Sequence, residues 1–123
     1  MNILTIIGAT NIFNQVAQTK ISSKLAYKIM KFCKSVATEE EFYNNKRSEI
    51  INEYALRDES GQIVVSDDGM IKIIPDMIPE ADRAMRELNE IDVDVAIKFT
   101  LAELEELKLS VADMFVLDAF IEE

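Results

Sequence analysis

Hydrophobic spacing changes character along this 123-residue chain, and that change sets what it can fold into. Leu25, Ile29, Phe32, Val36, Tyr43, Ile50 and Tyr54 keep alternating three- and four-residue steps in phase if Glu39 and Lys46 fill the two gaps. This is the repeat of an amphipathic helix. With Ser22 or Ser23 as N-cap, it predicts one long helix from Ser23 to about Leu56. Thr38-Glu39-Glu40-Glu41 is a capping-box pattern that could start a second helix there; the continuous helix is favoured and the break stays open. Upstream, Ile12, Phe13, Val16 and Ala17 predict a short helix from about Gly8 to Thr19, with a strand at Ile3–Ile7 before it. The two helices would form a hairpin. By contrast, Ile91, Val93, Val95, Ile97 and Phe99 alternate strictly with other residues, which predicts a strand with one face in the core.

The polar stretch Arg57-Asp58-Glu59-Ser60-Gly61 ends the helical part. Ile63-Val64-Val65 and Met70 to Ile74 then flank Ser66-Asp67-Asp68-Gly69, the pattern of a β-hairpin with an Asp-Gly turn. Pro75 and Pro79 bracket a helix start, and Ala81, Met85 and Leu88 supply the apolar face of a helix ending near Asn89. Thr100 with Glu103 caps a helix over Leu101–Leu107. Ser110 with Asp113 caps a last short one bearing Val111, Met114, Phe115 and Leu117. The predicted fold class is α+β: an N-terminal helical hairpin with a long helix, then a small antiparallel sheet (hairpin plus one strand) and short C-terminal helices. The length suits a single domain over residues 1–123, with 1–56 the helical hairpin part and 57–123 an acidic α+β part. Leu25, Ile29, Phe32, Tyr43, Ile50, Val93, Val95, Ile97, Leu104 and Phe115 are the expected core. No internal repeat is visible.

The chain has no His and a single Cys, Cys33, so an internal disulfide and a cysteine–histidine zinc site are not expected. The run Ile3 to Ile7 is short and lacks a basic leader, and polar residues follow it, so neither a signal peptide nor a membrane span is predicted. Charge is uneven: residues 1–61 carry 8 Lys/Arg against 7 Asp/Glu, and residues 62–123 carry 5 against 16.

Three constellations bear on function. Asp92 and Asp94 share one side of the predicted strand, but without a third ligand they read as a solvated face rather than a magnesium site. Lys20, Lys24, Lys28, Lys31 and Lys34 lie along one helical face. With net charge −10 and no aromatic interleaved, direct nucleic-acid binding is not expected of them. The acidic second half could imitate a phosphate backbone and occupy a basic partner. Asp82, Glu87, Glu90, Asp92, Asp94, Glu105 and Glu106 are its candidate partner-binding residues. No catalytic, cofactor-binding or metal-ligating set is visible, so an enzyme is not expected.

Lys24-Leu25-Ala26-Tyr27-Lys28-Ile29, Ile50-Ile51-Asn52-Glu53-Tyr54, Asp58-Glu59-Ser60-Gly61 and the ending from Phe115 to Glu123 together resemble a family of small uncharacterised proteins from phages and prophages of Gram-positive hosts. The resemblance runs over most of the length, although Ser22 and Ser23 stand where family members have a proline. It implies a protein made in the bacterial host cytoplasm, and it carries no functional residues. Two roles fit that setting. One is a non-enzymatic accessory protein that binds a host or phage protein, such as an acidic inhibitor of a host nucleic-acid-binding or defence protein of the anti-CRISPR kind. The alternative is a virion or tail assembly component that self-associates as a homo-oligomer.

Overall fold

The computed structural model describes residues 1–16 and 19–122; Ala17, expected on the first helix's apolar face, lies outside the described residues. The protein is mostly helical, at 62%, and no β-strand occurs among the described residues. The α+β class and its antiparallel sheet are thereby corrected. The chain forms two compact units, Met1–Glu41 with Ile91–Glu123, and Phe42–Glu90. The charge contrast between sequence halves does not follow these units. The first holds 7 Lys/Arg against 12 Asp/Glu and the second 6 against 11, so each carries −5.

Helix α1 spans Ile3–Val16, so the strand expected at Ile3–Ile7 is the first turns of a helix. Its start is set by Asn2, whose Oδ1 accepts the Thr5 N–H at 3.0 Å and the Thr5 hydroxyl at 2.7 Å. A β-branched run favours a strand only weakly, and a capped helix that buries Ile3, Ile6, Ala9, Thr10 and Phe13 outweighs it. The buried Thr10 hydroxyl is satisfied by donating to the Ile6 carbonyl at 3.0 Å.

The single long helix is also corrected. Helix α2 covers Ser23–Ser35, with Ser22 as N-cap accepting the Leu25 N–H, and α3 covers Ala37–Tyr54. The break falls at Val36 (φ −109°, ψ 7°), ahead of the Thr38 capping pattern. Ser35 accounts for it: its hydroxyl donates to the Phe32 carbonyl at 2.7 Å, competing with the helical ladder, while Val36 stays buried on the stripe it shares with Phe32.

The first unit closes around four phenylalanines. Phe13, Phe32, Phe99 and Phe120 are essentially inaccessible, and Phe32 meets Phe13 and Phe120 edge-on at 5.3 and 5.2 Å between ring centroids. Such contacts add about 0.5–1.5 kcal/mol each beyond burial. The segment 91–99 delivers Phe99 to this cluster in extended form. Among the described residues, bridges occur only near its two ends, Asn2 with Asp92 and Phe99 with Ile121, and no sheet forms along it. Its alternation still sets its facing: Val93, Val95 and Ile97 pack against the core, while Asp92, Asp94 and Ala96 look out.

The two C-terminal capping boxes form as expected. Helix α5 is one turn, Leu101–Leu104, shorter than predicted although Leu107 is still buried, and α6 is Val111–Leu117. Phe115, expected in the core, is 79% exposed, and Leu117 is buried instead. A two-turn helix turns one stripe inward, and α6 carries more apolar residues than one stripe can hold.

In the second unit the residues expected to form a hairpin close a three-sided ring. The Leu56 N–H donates to the Lys72 carbonyl at 2.9 Å, that of Lys72 to Val64 at 3.0 Å, and that of Val64 to Leu56 at 2.9 Å. Each segment thus gives its N–H to one neighbour and its carbonyl to the other. Pairing ends after single bridges (Ala55 with Ile73, Arg57 with Ile63, Val65 with Ile71), and no ladder grows. The ring residues 56, 64 and 72 stand eight apart, a structural repeat that the side chains do not show. Its corners are two like turns, closed by Gly61 N–H to the Asp58 carbonyl and Gly69 N–H to the Ser66 carbonyl. Helix α4, Ile78–Asn89, follows a 3-10 turn at Pro75–Met77 and buries Ala81 and Leu88 as expected. Tyr43, buried on α3, donates its hydroxyl to Asn89 Oδ1 at 2.8 Å, while Ile50 is only half-buried.

Gly69 sits at φ +85°, with open space where a Cβ would stand. Gly69→Ala should therefore destabilise by about 1–2 kcal/mol through backbone strain alone. Chemical denaturation followed by circular dichroism tests this; an unchanged midpoint would show that the ring tolerates a different turn.

Candidate protein-docking surface

Capping by Ser110 fixes where α6 begins and therefore which residues face outward. Val111 and Phe115, one helical turn apart, are 76% and 79% exposed, and Leu117 anchors the opposite side. Beside them runs the outer face of α1. A groove of about 580 Å³ between the two helices is lined by Leu4, Ile7, Gly8, Asn11, Phe115 and Val116, among others. The α1 helix comes this close because position 8 has no side chain: a Cβ there would lie 3.1 Å from Val116 Cγ1. A second depression, about 260 Å³, is lined by Leu101, Leu104, Glu105, Leu107, Leu109 and Met114. Phe115 and Met114 thus border concave apolar surface, with Leu4 and Leu101 also exposed. A clustered arrangement of this kind marks an interaction surface, whereas isolated exposed apolar residues do not.

The α6 segment itself carries only carboxylates, although the Lys98 ammonium reaches its end, donating to the Ala119 carbonyl at 2.9 Å. From Leu109 to Glu122 the chain holds Asp113, Asp118 and Glu122 and no Lys or Arg.

The acidic candidates fall in different places. Asp82 and Glu87 lie on α4 and Glu90 at its C-cap, in the second unit; Asp92, Asp94, Glu105 and Glu106 belong to the first. Two of the seven have internal partners. Asp92 pairs with the N-terminal ammonium of Met1 at 3.0 Å. Glu106 accepts the Ser22 N–H at 3.0 Å and the Ser22 hydroxyl at 2.9 Å, placing an anion at the start of α2. Asp82, Glu87, Glu90, Asp94 and Glu105 are exposed and in no ion pair among the described residues.

The lysine row is likewise divided. Lys28 leaves it to bond Glu103 Oε1 at 2.8 Å, its ammonium 5.0 Å from the Phe99 ring centroid. Lys20, Lys24, Lys31 and Lys34 stay exposed. The expectation of no interleaved aromatic is corrected: Tyr27 is 60% exposed on this face, with the Lys31 ammonium 5.6 Å from its ring centroid.

No protein-family model, curated protein or solved structure matches this chain.

The Lys28 hydrogen bond, followed by the Thr100 N–H, holds the Glu103 carboxyl below the usual range. A depressed folded-state pKa stabilises above the unfolded value and loses that contribution as pH falls through the folded one. Glu103→Gln should flatten the stability profile below about pH 4.5. Urea titrations from pH 3 to 7 test it, and parallel profiles for both proteins would refute it. The half-buried Cys33 thiol is pushed up by burial and by the Glu40 carboxylate, which disfavours the nucleophilic thiolate. Among the described residues no three His, Cys, Asp or Glu side chains cluster to hold a metal, and no helix is long and apolar enough to cross a membrane.

Sequence reasoning missed the surface by assigning Phe115 to the core. Five of the seven residues of Val111–Leu117 are large and apolar, and that excess over one stripe was the available signal.

Proposed function

We propose that the protein acts by binding another protein rather than by catalysis, and that it docks through the α1–α6 face. The observation that carries this is the exposure of Val111 and Phe115 on a helix whose other side is committed to the core. Burying an aromatic side chain of this size against a partner is worth about 1.5–3 kcal/mol, and aromatic residues and Met are enriched in interfaces. The apolar lining supplies most of the contact, and the Asp118 carboxylate at its edge favours a partner with a cation nearby. The sequence resemblance supplies the setting: a phage or prophage accessory protein in the bacterial host cytoplasm, meeting a host or phage protein.

The exposed carboxylates in no ion pair among the described residues, Asp82, Glu87 and Glu90 on one unit and Asp94 and Glu105 on the other, favour a second reading, in which the protein inhibits a host nucleic-acid-binding or defence protein through acidic side chains of either unit. Affinity capture from host lysate at low and high salt separates the two. With apolar docking, Phe115→Asp abolishes capture and salt changes it little. Capture that Phe115→Asp leaves intact and that high salt abolishes would replace the first reading with the second.

A further inference from the structure

Helix α2 carries a face that complements the acidic apolar surface of α6. Tyr27 and Met30, 60% and 43% exposed, lie one turn apart on its outer side, flanked by Lys24, Lys31 and Lys34. From Lys20 to Ser35 the chain holds five lysines and no carboxylate; among the described residues only Lys28 of the five is in an ion pair, and the Glu106 carboxylate is held at Ser22. The α6 face leans the other way: Val111 and Phe115 border the same concave surface as Asp118, and Leu109 to Glu122 holds no cation of its own, although Lys98 reaches the Ala119 carbonyl at 2.9 Å. Both faces belong to the same unit and share no residue.

We infer that the partner on α6 is α2 of a second copy, so that copies associate head to tail. This rests on α6 being the docking face. A two-fold contact centred on α6 alone would set Asp118 against its own copy, and one centred on α2 alone would do the same to Lys31 and Lys34. Like charges so placed repel, whereas α2 on α6 pairs opposite signs around two apolar centres. Unless the contact is reciprocated within one pair, it leaves one of each face free at the ends, so assembly continues into a ring or filament.

The test uses two variants of the full chain, Phe115→Asp and Tyr27→Asp, each on an exposed side chain. Circular dichroism and thermal melts verify the fold, and Phe115→Ser with Lys31→Glu serves as a second pair. In analytical ultracentrifugation, wild type should grow beyond a dimer with concentration, and each variant alone should stay monomeric. An equimolar mixture of the variants should form a complex of two chains, because each retains the face the other has lost. Association of either variant alone should be at least tenfold weaker than wild type.

A wild type that stops at a dimer would replace head-to-tail association with a two-fold interface, reciprocal between α2 and α6 if the mixture still forms a complex and centred on one face if it does not. A wild type monomeric at every concentration would overturn self-docking. If Phe115→Asp nonetheless abolished capture of a host or phage protein, α6 would stand as a docking face for that other protein. If capture were unchanged as well, the docking reading itself would fall.

Discussion

Phe32→Ala should lower the unfolding free energy by about 3–5 kcal/mol, the largest stability effect expected of any single substitution in the first unit. Phe32 is fully buried and contacts three other buried rings, so truncation removes edge-on contacts to Phe13 and Phe120 together with the contact to Phe99 at 6.0 Å. The void cannot be refilled cheaply, because its neighbours come from α1, α2, the extended segment 91–99 and the chain after α6. A collapse that suited one would strain the others. Ile97→Ala should cost less, since Ile97 is only half-buried against the same core. Denaturant unfolding monitored by tyrosine fluorescence and circular dichroism measures both. A Phe32→Ala protein with the wild-type midpoint would mean that the four rings are not a common core.

Gly8→Val should be nearly as damaging, through overpacking. The added Cβ would stand 3.1 Å from Val116 Cγ1, and the two methyl groups of valine would have to enter space that α6 already fills. Overpacking of this kind costs about 1–3 kcal/mol. Gly8→Ala is the control: it gains up to about 1 kcal/mol of helix propensity and needs Val116 to shift by only a few tenths of an ångström. The pair therefore separates steric pressure from backbone effects. In thermal melts the Ala variant should stay near wild type while the Val variant falls well below it, and because Gly8 lines the groove, Val should also impair docking. Equal melting of Val and wild type would show that α6 is free to move off α1.

Residue patterns announced individual elements best where a local side chain decides the matter. Ser22, Thr100 and Ser110 cap the helices they were expected to cap, and Gly69 closes the turn expected at Asp67-Asp68-Gly69. Where the reading failed, the deciding group was remote or the pattern had two meanings. Ile3–Ile7 reads equally as strand or helix until Asn2 and the buried stripe settle it. The long helix is interrupted at Val36, where Ser35, readable as an ordinary exposed helix residue, gives its hydroxyl to the Phe32 carbonyl.

Taken alone, the sequence determined the inward face of α2 and of the segment 91–99 and where most helices begin, since periodicity and capping act within a few residues of the chain. Alternation from Ile91 to Phe99 placed Val93, Val95, Ile97 and Phe99 against the core without saying what, if anything, runs alongside. A strand is a relation between segments, and backbone hydrogen bonds carry no side-chain signature. Only the tertiary structure could show that 91–99 lacks a sheet, and that Leu56, Val64 and Lys72 close a ring in place of a hairpin ladder. The same holds for the docking face. Five apolar residues on α6 competed for one inward stripe, and the packing of α1 against Val116 and Leu117 decided that Phe115 would face out.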